Sequence, residues 1–431
     1  MLAGRRQTLL REKIQSFCFF LSMAISVWAV RTPHSPLGPD WLRTILSLLF
    51  YVLLAVESVL SLFSVDYKDL HISVILLAFW PVLYWAYIHI WAFEMESFAI
   101  TSPIIAFVFS LQNDKVKSNV YKLFKKLIII TSFIGIICYV AYISNLKIPY
   151  TITDYYDGRP YQNYINYFDV SFLYVTSSST RLCGIFNEPG WLGTTIGLIL
   201  CFEKYDLKKL ENWILVIAGL LTYSVAFVLI LAAGFIIRNI REYKKWIPIV
   251  LFLCVFLFIL PNIKTGNQRV DNLISRLEIS SGGLKGNNRA TGTINELFAQ
   301  TIASSKRWFG YGDGYAEYYN SLREYNQVLT IKTEIINFGI VGTFVLYIMP
   351  LFLLINRNTR KGKPLAFILC FWISLYQRPW LYIISNYMLL LSTISYLQSN
   401  TRKEQDIFVN FGESNNSMLD EAIRTIIRGN V

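Results

Sequence analysis

The chain has 431 residues, of which 54% are hydrophobic and only 16% charged, and its mean hydropathy is +0.42. Soluble domains carry about 25% charged residues, so this composition excludes a soluble globular protein, a disordered chain and a disulfide scaffold. A formal charge of +12 accompanies the apolar excess, and its placement along the chain is informative.

A helix needs roughly 20 apolar residues to cross a ~30 Å hydrocarbon core. In chain order, spans are predicted at Ile14–Val30, Trp41–Phe63, Ile72–Trp91, Leu127–Asn145, Trp246–Pro261, Thr333–Ile355 and Trp380–Leu397. Shorter apolar runs lie at Phe98–Leu111, Pro189–Phe202, Asn212–Thr222, Val225–Ile237 and Pro364–Tyr376. Each short run has charges on one side whose stems can snorkel. Together they predict an all-α polytopic membrane protein of about 12 transmembrane helices, with residues 1–431 as one integral membrane domain. The first span follows Arg5, Arg6, Arg11 and Lys13 as a signal peptide would, yet no small-residue cleavage site follows it. It reads as a retained anchor. The pair at 212–222 and 225–237 is short for a full hairpin, which leaves one half as a candidate re-entrant segment.

Lysine and arginine set the orientation. The N-terminal arm, Tyr67–His71, Lys115–Lys126, Lys204–Lys209, Arg238–Lys245, Arg357–Lys363 and the tail at 398–431 hold 25 of the 40 basic residues. Placing them in the cytoplasm, both termini included, closes the parity of twelve crossings. The excess charge is therefore a topology signal and gives no support to nucleic-acid binding. Two long outer loops remain, 146–187 and 262–332. In the second, Thr293-Ile294-Asn295-Glu296 has a capping-box pattern that predicts a helix over about 293–304. Gly310, Gly312 and Gly314 predict a turn, and Tyr315–Leu329 reads as a further helix.

Five of the six cysteines fall in or beside apolar spans, and Cys183, near the outer surface, has no evident disulfide partner. The histidines, His34, His71 and His89, are scattered, so zinc chemistry and a Ser-His-Asp triad are not expected. No GxxxxGK(S/T) phosphate loop is present. The informative stretch is Arg181-Leu182-Cys183-Gly184-Ile185-Phe186-Asn187-Glu188-Pro189-Gly190, where the first outer loop re-enters the membrane. Arginine and glutamate at that depth are costly unless paired or facing water. Pro189 favours a first helical turn, which puts Glu188 at a helix start, where the macrodipole favours its charged form. The plainer reading is a structural Arg181–Glu188 pair. A second stretch places Arg289 just before the predicted loop helix, where free N–H groups and a guanidinium suit an anion; its plainer reading is a solvated arginine. Lys306, Arg307 and Arg323 add positive potential, and tyrosines, Tyr311 and Tyr315 among them, concentrate in both loops. Tyrosine suits sugar faces as well as the interfacial aromatic belt.

Arginine followed by Gly-x-Phe-x-Glu-Pro at a loop-to-helix junction resembles the signature of Wzy-type O-antigen polymerases. So does Arg289 followed by a helix and the Phe309-Gly310-Tyr311-Gly312 turn. Leu221-Thr222-Tyr223-Ser224 resembles the family's Thr-x-Ser element, although Val225 stands where many members carry arginine. The resemblance runs from about residue 10 to 400. It implies a metal-independent fold like that of C-type glycosyltransferases, with no cofactor, in the bacterial inner membrane. It also implies undecaprenyl-diphosphate-linked glycans as donor and acceptor, and a separate chain-length regulator as a partner. Arg181 and Arg289 are then the candidate clamp for a departing diphosphate, and Glu188 the candidate base or orienting group. Tyr223, Ser224, Arg307, Tyr311 and Tyr315 are the candidate substrate-binding residues. The rivals are an O-antigen ligase, which would want a histidine in the large outer loop, and a flippase or other transporter, for which Glu57 would be the buried acid. A metal-dependent transferase would draw on Asp154 and Asp157, although Asp157-Gly158-Arg159-Pro160 also reads as a plain turn.

Overall fold

The computed structural model describes residues 2–31, 39–63, 72–91, 100–154, 162–176, 179–203, 205–255, 266, 271, 279–280, 283–284, 291–323, 330–355, 362–379, 381 and 383–398. A helix lies on each of the twelve predicted apolar runs, because a chain whose backbone is withdrawn from water must bond its own N–H and C=O groups. In order they are α1 (Leu2–Val27), α2 (Asp40–Leu62), α3 (Ile72–Ile90), α4 (Thr101–Ser110) and α5 (Asp114–Ile143). There follow α6 (Pro189–Phe202), α7 (Leu210–Leu221), α8 (Val225–Arg238) and α9 (Tyr243–Cys254). Among the described residues of the second long loop are α10 (Gly292–Ala303) and α11 (Tyr315–Ser321). The last three are α12 (Ile331–Leu354), α13 (Gly362–Gln377) and α14 (384–398). Among the described residues, four of them, α2, α3, α5 and α12, are long and apolar enough to cross a membrane.

Several polar side chains inside this apolar body bond to one another. Ser22 donates to Glu57 Oε1 (2.7 Å), which ties α1 to α2 and makes Glu57 part of the packing. Gln112 Nε2 donates to Ser61 Oγ (2.7 Å), and Gln15 Nε2 donates to Gln112 Oε1 (2.6 Å). Such bonds hold apolar helices in register where burial of hydrocarbon alone gives little direction.

The expectation of an all-α chain needs correction. The first long loop folds into a four-stranded antiparallel sheet in the order β1 (Thr151–Asp154), β2 (Gln162–Tyr167), β3 (Ser171–Thr176) and β4 (Thr180–Gly184). Thr and Tyr are the commonest residues of its strands, and both types fit a pleated, half-buried surface. The β2–β3 turn places Phe168 and Asp169 at positive φ, with Asp169 N–H donating to Asn166 Oδ1 (2.9 Å). The sheet lies against the bundle. Leu182 packs so closely on Gly135 of α5 that a Cβ there would stand 2.9 Å from it, and Trp28 at the end of α1 donates to Asp169 O (2.6 Å).

The second loop also departs from expectation in detail. The N-cap of α10 is Thr291, two residues before the predicted box, and its hydroxyl accepts from Ile294 N–H (3.2 Å). The same hydroxyl donates to Asn320 Oδ1 (2.7 Å), so the cap also joins α10 to α11. Helix α11 ends at Ser321, and residues 324–329 of the predicted helix lie outside the described residues.

Candidate active site at the start of helix α6

At 1.5 Å per residue α6, α7 and α8 are roughly 21, 18 and 21 Å long, shorter than a ~30 Å hydrocarbon core. Every residue of α6 is buried, and β4 leads directly into its start. Gly184, at φ 59, makes the turn out of β4, and the Ile185 carbonyl accepts from Ala29 N–H (2.8 Å). Tyr164 of β2 donates to Asn187 O (2.5 Å) and fixes the last residues before the helix.

Glu188 is the N-cap of α6 with Pro189 at its first position, as the sequence predicts. Its ion pair is made with Arg378, whose Nη2 lies 2.6 Å from Glu188 Oε2. Arg378 follows the C-terminus of α13, and only 9% of its side chain is exposed. The guanidinium lies on the backbone of α6: a Cβ on Gly190 would stand 2.3 Å from Arg378 Nη2. Glycine here is a requirement of close approach. One turn along, a Cβ on Gly193 would stand 2.8 Å from both Thr222 Oγ1 and Ser224 Cβ. The α7–α8 tip and Arg378 therefore share one face of α6.

Arg181 of β4 reaches the same tip from above. Its Nε donates to Thr222 O (2.9 Å) and its Nη2 approaches Tyr223 O (3.4 Å). These are the carbonyls at the C-terminal end of α7, where the helix dipole attracts a cation. Tyr223, at φ 46, turns its hydroxyl to within 3.3 Å of the Tyr139 hydroxyl. The Ser224 hydroxyl is spent on the backbone as the N-cap of α8, accepting from Phe227 N–H (3.4 Å). Thr222 Oγ1 likewise donates to Gly219 O (2.6 Å). Thus the Thr-x-Ser element builds the turn that presents two carbonyls to Arg181. Cys183, between Arg181 and the helix, is fully buried, and burial pushes its thiol well above the usual range.

The structure brings Arg181, Glu188, Tyr223 and Ser224 together. Arg307, Tyr311 and Tyr315 belong to a second cluster, formed by α10, α11 and the first half of α12. There Tyr315 stacks on Tyr311 with ring centroids 4.4 Å apart, and Tyr319 follows at 6.2 Å. Burial raises the Tyr315 phenol, with its neighbouring tyrosines adding to the effect. Arg307 lies over the Trp308 ring at 5.2 Å. Arg289, Asp157, His34 and His71 lie outside the described residues. Next to Arg378, the Tyr347 hydroxyl of α12 is 2.9 Å from Pro379 O and 2.8 Å from Glu334 Oε2.

Arg378 is the residue that reading by motif passed over. Its signal was present, since an arginine in the short Gln377-Arg378-Pro379 connection between two apolar runs requires a partner at membrane depth. No family model, curated protein or solved structure matches the chain.

Proposed function

We propose that the chain is a membrane glycosyltransferase that polymerises undecaprenyl-diphosphate-linked repeat units into O-antigen or capsular polysaccharide. In this reading it crosses the inner membrane about twelve times, both termini are cytoplasmic, and the chemistry occurs at the outer face. The observation that supports it is the gathering of Arg181, Glu188 and Arg378 around the start of α6. Glycosyl transfer builds negative charge on the departing diphosphate, and guanidinium groups stabilise such charge through paired N–H donors. Arg181 and Arg378 are the two described arginines of this proposed clamp. Glu188, engaged by Arg378, orients that arginine, and the acceptor hydroxyl lies beside its carboxylate. Arg289 remains a candidate third member.

The test is the surface glycan of a deletion strain and its complements. Loss of the ladder with single repeats retained is expected for the deletion and for Arg181→Ala. Long chains persisting in both would overturn the reading, and loss of single repeats as well would indicate a ligase or a flippase. A transporter reading has one observation in its favour, the break in α12 at Gly339 (φ 67, ψ −176), because broken helices line many transport sites. Single repeats on the surface of the deletion strain would exclude it.

A further inference from the structure

The break in α12 is filled by a piece of the second loop. Val341 N–H donates to Trp308 O (3.0 Å), Tyr311 N–H to Ile336 O (3.0 Å) and Gly312 N–H to Asn337 O (2.8 Å). Asp313 N–H donates to Trp91 O just past the end of α3 (2.8 Å). Gly310 and Gly339 face one another across this contact: a Cβ on Gly310 would stand 2.2 Å from Asn337 O, and one on Gly339 would stand 2.3 Å from the Trp308 carbonyl carbon. The loop tip is thereby bound, backbone to backbone, to the wall of a membrane-spanning helix.

Trp308 and Phe309 at that tip are 48% and 56% exposed. They are level with the point where α12 begins to turn apolar side chains outward. Thr333, Ile336 and Phe338, before the break, are buried, whereas Ile340, Val341 and Phe344, after it, are exposed. From Ile340 to Leu354 the helix rises roughly 21 Å, short of the ~30 Å of a hydrocarbon core. The tip supplies apolar surface at the end where this unbroken stretch of α12 falls short. Ile90 and Trp91, exposed at the end of α3, continue the same band. Lys306 and Arg307 stand immediately before it, over the rings of Tyr311 (5.4 Å) and Trp308 (5.2 Å). Aromatic rings with adjacent cations are the composition of a membrane–water boundary.

We propose that Lys306-Arg307-Trp308-Phe309 is a membrane-interface anchor. Its rings insert at the boundary between headgroups and acyl chains, and its cations meet lipid phosphates. The occupant is the bilayer leaflet itself, because the exposed tip is continuous with the lipid-facing surfaces of α3 and α12. The anchor seats α10 and α11 on the membrane, and it holds whatever reaction the chain performs.

The test uses the full chain in phospholipid vesicles. Single cysteines at Trp308→Cys and Phe309→Cys carry an environment-sensitive fluorophore, with Phe352→Cys on α12 as lipid reference and Gln300→Cys on α10 as water reference. The native cysteines whose side chains are described are buried, and labelling of the unsubstituted chain gives the background. Expected at 308 and 309 are blue-shifted emission and quenching by lipids bearing a nitroxide near the headgroup, well above that at 300. Quenching by aqueous iodide equal to that at 300, with none by lipid, overturns the anchor. In the unsubstituted chain, a lipid-soluble carbene precursor should label the 305–310 peptide. Absence of label from that peptide overturns the anchor equally, and needs no substitution.

Discussion

Arg378 shows how much a single side chain can organise in a low-dielectric setting. Its guanidinium neutralises Glu188, lies on the bare backbone at Gly190 and follows the carbonyl end of α13. Removing one partner of a buried ion pair leaves the other charge unpaired, at a cost of roughly 3–5 kcal/mol when burial is complete, so about 2 kcal/mol is expected here, where Glu188 is 23% exposed. Arg378→Ala should therefore lower thermal stability in detergent and, in the proposed reaction, abolish the glycan ladder. Arg378→Lys should recover much of the stability and little of the ladder, since an ammonium lacks the planar fork. Equal recovery of both would mean that the residue serves packing alone. This residue also marks a limit of sequence reading. Glu188 was legible because Pro189 announces a helix start, whereas its partner stands 190 positions away and no local pattern joins them.

At the scale of elements, helices were legible and strands were not. Apolar runs of ten or more residues announce themselves by length, and each of the twelve carries a helix. The strands of the first loop are four to six residues long, and their tyrosines and asparagines read equally well as loop. The cap of α10 was misplaced by two residues for a related reason. Thr291 and Thr293 are both competent caps, and the choice is made by Asn320 across the fold, which bonds to the first. The break in α12 was invisible as well, because a glycine within an apolar run reads as helix until the segment that fills the gap is known. Gly339→Ala tests that break. The position needs a φ that only glycine adopts readily, and the new methyl would meet the Trp308 carbonyl. A loss of roughly 1–3 kcal/mol is expected from backbone strain alone. Proteolytic cleavage within 305–313 should rise in parallel; an unchanged cleavage pattern would show that the loop is held by other contacts.

For the whole molecule, the arrangement brings together parts of the chain that composition could not relate. The sheet of the first loop, the α7–α8 tip and the α13–α14 connection converge on α6. Cys201 of α6 and Cys370 of α13 offer a direct check, with their sulfurs 3.7 Å apart across 169 residues. A membrane-permeant oxidant should join them, so that fragments cut within the second loop stay together until reduction. Fragments that separate without reductant would argue against α6 lying beside α13.

The hold of the α7 carbonyls on Arg181 has a kinetic consequence. At rest this guanidinium donates to Thr222 O and lies near Tyr223 O, at the negative end of a helix dipole worth about half an elementary charge. An arriving diphosphate, in the proposed reaction, would have to displace those carbonyls, which regain the arginine the moment the anion leaves. Such exchange lowers the affinity for the spent carrier as much as for the incoming one. An enzyme that must let go of a lipid diphosphate after every addition gains turnover from an arginine that is already engaged.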